Sequence, residues 1–366
     1  MPTKTKTITL VLTQSCNLNC VYCYEGNKDG KTMSFETAKA ILDKELPEEG
    51  YDSYQVDLFG GEPLLRFPLL KQIVEYGLEH YTNKNIRYVT TTNGVLCKGE
   101  IKQWLEDHKD IITVCLSLDG TPEMHNMNRC NSYPLIDVDF FHRNWPDTPT
   151  KMTISPLTLP YIAKGIIHMH EMGYPFSCNL ACDVDWSKKE LKDLLNRELM
   201  TLIDYYLAHP DVAPAQIFQF NLPRVASRPK GDAQVRTCGS GVEMCCYSSD
   251  GERYPCQFFT PLSIGEEKSK AARAIKFKDW VCVDDYPSPC RECPALCICP
   301  NCFGANFSAT GNIYQKDMNL CILNKTLFKA AAYLFIEKYK RGQAKTDPDL
   351  IPQSLKGAEI ILTELD

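Results

Sequence analysis

Three cysteines lie close together near the N-terminus, and their spacing indicates metal chemistry. Cys16, Cys20 and Cys23 follow directly after the strand-like run Ile8–Leu12. Thiolates at such close spacing are typical ligands of iron–sulfur clusters. Three thiolates without a fourth cysteine nearby hold three irons of a four-iron cluster and leave the fourth iron open to a small molecule. A structural zinc site is the alternative, although such a site requires four ligands.

The composition of the chain limits the classes of function that are open to it. The sequence has 366 residues, 19 cysteines and a formal net charge of −6. This charge provides no general basic field for nucleic acid or an anionic membrane. We find neither a signal peptide nor an apolar run of about eighteen residues, so we expect a cytoplasmic protein with reduced thiols and no membrane span.

The first two thirds of the chain alternates between strand-like and helix-like segments. Such a βα repeat predicts a parallel sheet with helices outside it, either as an open partial barrel or as a doubly wound sheet. The six strand-like runs are at residues 7–13, 54–59, 86–91, 113–118, 151–155 and 176–181.

Unusual sequences follow the first four predicted strands. The three-cysteine segment follows the first strand, Gly60-Gly61-Glu62-Pro63 follows the second, and Thr92-Asn93-Gly94 and Ser117-Leu118-Asp119-Gly120 end the next two. In parallel βα folds the loops at the carboxyl ends of the strands carry the functional residues. We therefore expect all four sequences to share one edge of the fold.

The three-then-two spacing, with Tyr22 directly before Cys23, resembles the signature of the radical S-adenosylmethionine (SAM) enzymes. The resemblance implies that Cys16, Cys20 and Cys23 hold a four-iron cluster whose open iron binds the amino and carboxylate groups of SAM. One electron then cleaves SAM to a deoxyadenosyl radical, which abstracts hydrogen from a substrate.

The same resemblance implies a set of SAM-binding residues. Glu62 of the Gly-Gly-Glu-Pro motif accepts the SAM amino group, and a guanidinium at Arg129 suits its carboxylate. An ordinary turn, polar strand ends and a surface arginine are the alternatives. The expected cofactor-binding residues are Tyr22, Gly60, Gly61, Glu62, Thr92, Asn93, Ser117, Asp119 and Arg129.

A second series of cysteines begins at Cys238. Twelve residues separate Cys238 from Gly251, four more lead to Cys256, and two close pairs and a final cysteine follow. This series resembles the SPASM domain of peptide-modifying radical SAM enzymes, which holds two auxiliary four-iron clusters. A zinc ribbon is the alternative. The expected auxiliary ligands are Cys290, Cys293, Cys299 and Cys321 for one cluster and Cys238, Cys256 and Cys302 for the other.

The fourth ligand of the second auxiliary cluster stays open at this point. Cys245 and Cys246 are candidates, and an open iron is the alternative. The gap from Cys299 to Cys302 has two residues where the family has three, and Cys282 and Cys297 are unassigned. We interpret the isolated cysteines as small buried hydrophobic residues; they are Cys97, Cys115, Cys130, Cys178 and Cys182.

These features predict an α/β protein, a partial (β/α)6 TIM-like barrel with a cysteine-rich SPASM domain. The expected domains are a radical SAM core over 1–225, a SPASM domain over 226–325 and a C-terminal helix and tail over 326–366. The expected cofactors are three 4Fe-4S clusters and SAM.

The resemblance implies a peptide or protein substrate and two competing reactions. One is maturation of a ribosomal peptide by a thioether or carbon–carbon cross-link. The other is anaerobic sulfatase maturation, in which an aspartate directly after the Gly-x4-Cys unit acts as a base. Gln257 occupies that position here, and an amide cannot accept a proton as a carboxylate does.

The expected partners include an electron donor such as flavodoxin or ferredoxin. The cluster loop begins at Cys16, so we expect no N-terminal leader-binding domain; leader recognition would use the core, the SPASM domain or a separate leader-binding protein. No residue is assigned as the general base or acid. The candidates are Tyr24, His125, Asp183 and Asp185. For each of them, a structural role in the core or at the surface explains the residue as well as a catalytic role does.

Overall fold

The computed structural model describes residues 4–365, and the chain divides into two compact units. Each unit is assembled from segments that are distant in the sequence. The first unit comprises Met1–Leu118, His125–Lys151 and Gly239–Phe277. The second comprises Asp119–Met124, Met152–Cys238 and Lys278–Asp366.

The first unit is built on a six-stranded sheet with the order β4-β3-β2-β1-β7-β8. All neighbouring strands are parallel except β7 and β8, which form an antiparallel hairpin. Strand β1 lies at the centre, and its Ile8, Leu10 and Leu12 side chains are fully buried, as expected where both faces of a parallel sheet are covered. The strands are β1 Thr5–Thr13, β2 Ser53–Gly60, β3 Ile86–Thr92, β4 Ile112–Leu116, β7 Met244–Tyr247 and β8 Arg253–Tyr254.

Amphipathic helices connect these strands. The first begins after Ser34, whose side chain accepts a hydrogen bond from the Thr37 amide as an N-cap. The helices that connect or flank the sheet are α1 Phe35–Glu45, α2 Phe67–His80, α3 Gly99–Asp107, α4 Pro122–Asn128, α5 Val138–Asn144 and α9 Pro261–Ala272.

The second unit contains a two-stranded sheet and a group of packed helices. Helix α12 packs closely on α8, and Gly357 permits this contact. A Cβ atom at Gly357 would lie 2.0 Å from the carbonyl oxygen of Leu222. The elements are β5 Thr150–Ile154, β6 Phe176–Leu180, α6 Ile162–Glu171, α7 Lys189–Ala208, α8 Leu222–Ala226, α10 Phe303–Thr310, α11 Cys321–Lys340 and α12 Ile351–Glu364. Among residues 4–365, no helix has the length and apolar character that crossing a membrane requires.

The fold class predicted from the sequence is confirmed, since all six predicted strands form and the main sheet is largely parallel. Two features differ from the expectation. Strands β5 and β6 form a sheet of their own, and the β7–β8 hairpin of the cysteine-rich section pairs with β1. The domain boundaries after residues 225 and 325 stay a prediction from the sequence.

Candidate functional site

The three-cysteine loop begins where β1 ends, and its three thiols are half-buried. A turn within the loop is closed by a hydrogen bond of 3.1 Å from the Cys23 amide to the Cys20 carbonyl. The Leu18 amide approaches the Cys16 sulfur at 3.4 Å. Amide contacts to sulfur are a feature of thiolates that ligate iron–sulfur clusters, where they help to set the reduction potential. The loop therefore brings three thiols to the end of β1, and their role as cluster ligands stays a prediction from the sequence.

The two glycines after β2 allow a close contact with the backbone of this loop. A Cβ atom at Gly60 would lie 2.2 Å from the carbonyl oxygen of Thr13, and one at Gly61 would lie 2.4 Å from that of Ser15. The Gly61 amide donates to Thr13 O at 3.0 Å, and the Glu62 amide donates to Ser15 O at 2.9 Å. The glycines thus join the Gly-Gly-Glu-Pro motif to the cysteine loop.

Glu62 is fully buried at the carboxyl end of β2, where three hydrogen bonds hold its carboxylate. Oε1 accepts from the Leu64 amide at 3.0 Å and from the Thr92 hydroxyl at 2.8 Å. Oε2 accepts from the Asn93 amide at 2.9 Å. Burial raises the pKa of Glu62, while these donors and the Arg129 charge oppose the rise. The carboxylate is therefore fixed between two strand ends.

Asn93 extends this arrangement to the cysteine loop. Its side-chain amide donates to Oδ1 of Asn17 at 2.8 Å and lies 4.0 Å from the sulfur of Cys16. Its own Oδ1 accepts from the Val95 amide at 3.0 Å. The ends of β2 and β3 and the cysteine loop are thus connected through Glu62 and Asn93, as the sequence predicted for a shared edge.

Arg129 is buried, and its guanidinium carbon lies 5.3 Å from the ring centroid of Tyr22. A cation over an aromatic face is attractive, and this contact orients the tyrosine that precedes Cys23. Ser117 is also buried, and its amide donates to the Thr92 carbonyl at 2.9 Å. Asp119 belongs to the second unit, where its Oδ1 accepts from the Thr153 amide at 2.8 Å.

Glu25 is a residue that the sequence reasoning missed. It lies two positions after Cys23, is 6% exposed, and its Oε1 atom has no hydrogen-bond partner among the described residues. Burial raises its pKa to about 7, with Lys28 opposing the rise and Glu62 adding to it. An unsatisfied buried carboxylate oxygen is costly, and it fits a site that receives a hydrogen-bond donor from a bound molecule. No local sequence pattern distinguishes this glutamate from an exposed one.

The second unit contains a cavity of about 480 Å³ with a cysteine-rich lining. The thiols of Cys290, Cys293, Cys299 and Cys321 lie within electrostatic range of one another. The pKa of Cys290 is raised, with burial as the largest cause, and the Lys316 ammonium opposes that rise. The cysteines that line the cavity are Cys178, Cys182, Cys290, Cys293, Cys299, Cys302 and Cys321.

The remaining predicted auxiliary ligands are divided between the units. Cys238 and Cys302 belong to the second unit; burial raises the pKa of Cys302, and the Cys238 thiol adds to that rise. Cys256 belongs to the first unit, where it contributes to the raised pKa of the buried Cys246 thiol.

Cys245 lies on β7 and contacts a different set of groups. Its sulfur is 3.8 Å from Oε2 of Glu45, a buried carboxylate that is also paired with Lys6 at 2.6 Å. Because successive residues of a strand point to opposite faces, Cys245 faces away from the side on which Cys246 and Cys256 meet. This placement gives Cys245 a structural contact and does not support the predicted ligand role.

The two unassigned cysteines do not line the cavity. Cys297 is 2% exposed, and the Cys282 thiol lies 3.5 Å from Oδ2 of Asp285. Among residues 4–365, no three His, Cys, Asp or Glu side chains converge in the way that a single metal ion requires. Among the described residues, seven thiols of the second unit line its cavity.

Comparison with known proteins identifies the N-terminal part of the chain. Residues 10–137, which include the cysteine loop, Glu62 and Arg129, match the Radical SAM superfamily. The chain contains a radical SAM domain. The family predicted from the cysteine spacing is thereby confirmed, and SAM and a 4Fe-4S cluster are the cofactors that this domain implies.

Three relatives show what this chain is similar to. The uncharacterized protein MJ0907 of Methanocaldococcus jannaschii is 40% identical over 115 residues, which cover 31% of this chain and 39% of that protein. The radical SAM cyclopropyl synthase TigE of Paramaledivibacter caminithermalis is 22% identical over 88% of this chain and 73% of its own length. The AdoMet-dependent heme synthase of Methanosarcina barkeri is 24% identical over 85% and 94%.

Two solved structures share the fold of this radical SAM protein. A structure of anSMEcpe with bound AdoMet has a TM-score of 0.66 and 17% identity, and the match covers 96% of this chain and 98% of the other. Streptococcus suis SuiB bound to the precursor peptide SuiA has a TM-score of 0.55 and 17% identity, with 87% and 76% covered. At this identity the two matches establish the fold alone.

Proposed function

We propose that this protein is a radical SAM enzyme of the SPASM type that abstracts hydrogen from a peptide side chain, as a ribosomal peptide maturase forming a thioether or carbon–carbon cross-link. The observation that carries the proposal is the joining of the three-cysteine loop to the buried Glu62 carboxylate through Gly60 and Gly61. This arrangement supports the proposal because three thiols and a fixed carboxylate lie at one edge of a parallel sheet.

The residues present fit the cofactors that the family implies. Cys16, Cys20 and Cys23 would hold a four-iron cluster, which together with SAM and an external electron supplies a deoxyadenosyl radical. Glu62, held by Thr92 and Asn93, offers a fixed carboxylate to the SAM amino group. The unsatisfied Oε1 of Glu25 gives the same edge a second acceptor.

Auxiliary clusters are the second part of the proposal. Cys290, Cys293, Cys299 and Cys321 would hold one of them in the cavity of the second unit. Cys238 and Cys302 would belong to the other, and Cys256 stays a prediction from its sequence spacing. With the SAM cluster these make three, and a flavodoxin or ferredoxin would reduce them.

A peptide substrate is supported by what the similar proteins act on. SuiB was solved with its precursor peptide, and anSMEcpe was solved with a Cp18Cys peptide at a TM-score of 0.64 over 92% of this chain. The similarity to the heme synthase is equally long, so heme formation is a competing outcome. A separate leader-binding protein would deliver the peptide to this chain.

Sulfatase maturation is the second candidate because the fold matches anSMEcpe over nearly the whole chain. Gln257 directly follows Cys256, at the position where the sulfatase-maturating family has its basic aspartate. The buried Oε1 of Gln257 has no hydrogen-bond partner among the described residues. A glutamine at this point accepts a hydrogen bond but not a proton. This residue favours cross-linking over formylglycine formation.

The test is a reaction of the anaerobically reconstituted enzyme with SAM, dithionite and a precursor peptide from a short open reading frame, to be sought beside its gene. We expect deoxyadenosine and a peptide that has lost two hydrogens for each cross-link, as measured by mass spectrometry. A cysteine-containing sulfatase peptide and an iron porphyrin serve as competing substrates. Formylglycine or heme with no modified precursor peptide would overturn the proposal, and Cys16→Ala should abolish every product.

A further inference from the structure

Cys182 is placed by the structure in surroundings that its sequence context does not reveal. It lies just beyond the carboxyl end of β6, in a loop whose Ala181 carbonyl accepts a hydrogen bond of 2.9 Å from the Trp186 indole nitrogen. Asp183, the next residue, has a φ of +57°. This left-handed conformation turns the chain sharply, so that the half-buried Cys182 side chain lines the cavity of the second unit.

The thiol of Cys182 has cysteine neighbours there. Cys302 lines the same cavity. Cys182, Cys238 and Cys302 all belong to the second unit, although Cys182 is far from the other two in the sequence.

Cys302 has the backbone contacts of a thiolate ligand. Its sulfur accepts a hydrogen bond of 3.4 Å from the Ala305 amide as the N-cap of α10. Amides at a helix N-terminus stabilise a thiolate, and amide bonds to sulfur are typical of cluster ligands. The gap between Cys299 and Cys302 also lacks a residue relative to the family pattern, so the usual ligand spacing does not hold in this stretch.

We propose that Cys182 is a thiolate ligand of the auxiliary iron–sulfur cluster to which Cys238 and Cys302 belong. The inference rests on the proposed function, because it assigns a ligand to one of its auxiliary clusters. It fills the position for which the sequence offered Cys245, Cys246 or an open iron. Cys245 contacts Glu45 instead, and Cys246 is fully buried against Val11 and Leu262 in the first unit.

Cys178 provides a matched control for the proposed role of Cys182, because it is a second cysteine on the wall of the same cavity. It lies within β6, however, and is only 1% exposed, whereas Cys182 is half-buried. If any thiol on the cavity wall served, Cys178→Ala and Cys182→Ala would have similar effects. A thiol outside the cavity, Cys97, gives a second control that is buried to a similar degree.

The experiment measures iron, acid-labile sulfide and the electron paramagnetic resonance spectrum of the anaerobically reconstituted full chain. We expect about twelve irons per wild-type chain from three clusters, and an unchanged content in Cys178→Ala and Cys97→Ala. Cys182→Ala should lose up to a third of the iron or convert one signal. Cys182→Ser, which retains a weaker oxygen donor, should keep the iron but shift that signal.

The controls separate the failure of this inference from the failure of the proposed function. Circular dichroism of the apo-protein establishes that each variant folds. Iron content and spectra of a folded Cys182→Ala variant equal to those of wild type would overturn the ligand assignment, whatever the activity. Deoxyadenosine formation by wild type tests the proposed function separately.

Discussion

Replacing Gly61 with alanine tests whether the Gly-Gly-Glu-Pro motif positions the cysteine loop. The added Cβ atom would lie 2.4 Å from Ser15 O, 2.7 Å from Ser15 C and 3.1 Å from Cys16 Cβ. Ordinary contacts of a Cβ atom begin at 3.4 Å. The backbone at Ser15 must therefore move by about 1 Å, and the first cysteine of the loop moves with it.

Two magnitudes follow from this displacement. Overpacking of this kind costs about 1–3 kcal/mol of unfolding free energy. A misplacement of about 1 Å in a reacting assembly costs on the order of 10²-fold in rate. We expect the rate of deoxyadenosine formation, measured by chromatography with dithionite as reductant, to fall far more than the stability of the apo-protein.

Gly26→Ala is the matched control, since Gly26 lies three residues after Cys23 and its Cβ would have no atom within 4 Å. This variant should retain the wild-type rate. The reasoning is refuted if Gly61→Ala forms deoxyadenosine at a rate within about twofold of wild type, or if Gly26→Ala loses as much activity.

Three further perturbations test other parts of the structure. Glu62→Gln turns one acceptor oxygen into a donor that faces an N–H or O–H group. Urea unfolding should therefore show a loss of about 1–3 kcal/mol of unfolding free energy, and deoxyadenosine formation should be slower. Glu45→Gln leaves the ammonium of Lys6 buried with only the half-exposed Glu48, and should cost about 3 kcal/mol in urea unfolding without changing the rate of the folded enzyme. Burial alone would raise the pKa of Glu45, but Lys6 and Tyr247 hold this pKa below its ordinary value of 4.5. The ionised Glu45 therefore stabilises the folded protein above pH 4.5. The difference in unfolding free energy between wild type and Glu45→Gln should narrow as the pH falls below that value. Lys316→Met removes a cation beside Cys290 and should make the potential of that auxiliary cluster more negative, on the order of tens of millivolts in a redox titration, whereas Lys316→Arg should not.

Much of the first unit could be predicted because its signals are local in the sequence. The spacing of Cys16, Cys20 and Cys23 indicated the donor set, and the alternation of apolar runs placed the strand ends on which Glu62 and Asn93 lie. The role of Gly61 was less accessible, since the sequence does not reveal that the neighbouring backbone is that of the cysteine loop.

The features that were missed depend on contacts between distant segments. The pairing of β7 with β1 draws the Cys245–Cys256 hairpin into the first unit, and nothing in the sequence of the hairpin specifies that partner. Cys182 has no cysteine near it except Cys178, so a buried hydrophobic residue was the natural interpretation. Only the fold places it on one cavity wall with Cys302.

The most direct test of the account is the reductive cleavage of SAM by the purified chain. Wild-type protein reconstituted without oxygen should hold a four-iron cluster that binds SAM. It should convert SAM to deoxyadenosine and methionine when dithionite is added. The variant with alanine at Cys16, Cys20 and Cys23 should form neither product while its apo-protein remains folded. Deoxyadenosine formation at the wild-type rate by that triple variant would contradict the assignment of the cysteine loop.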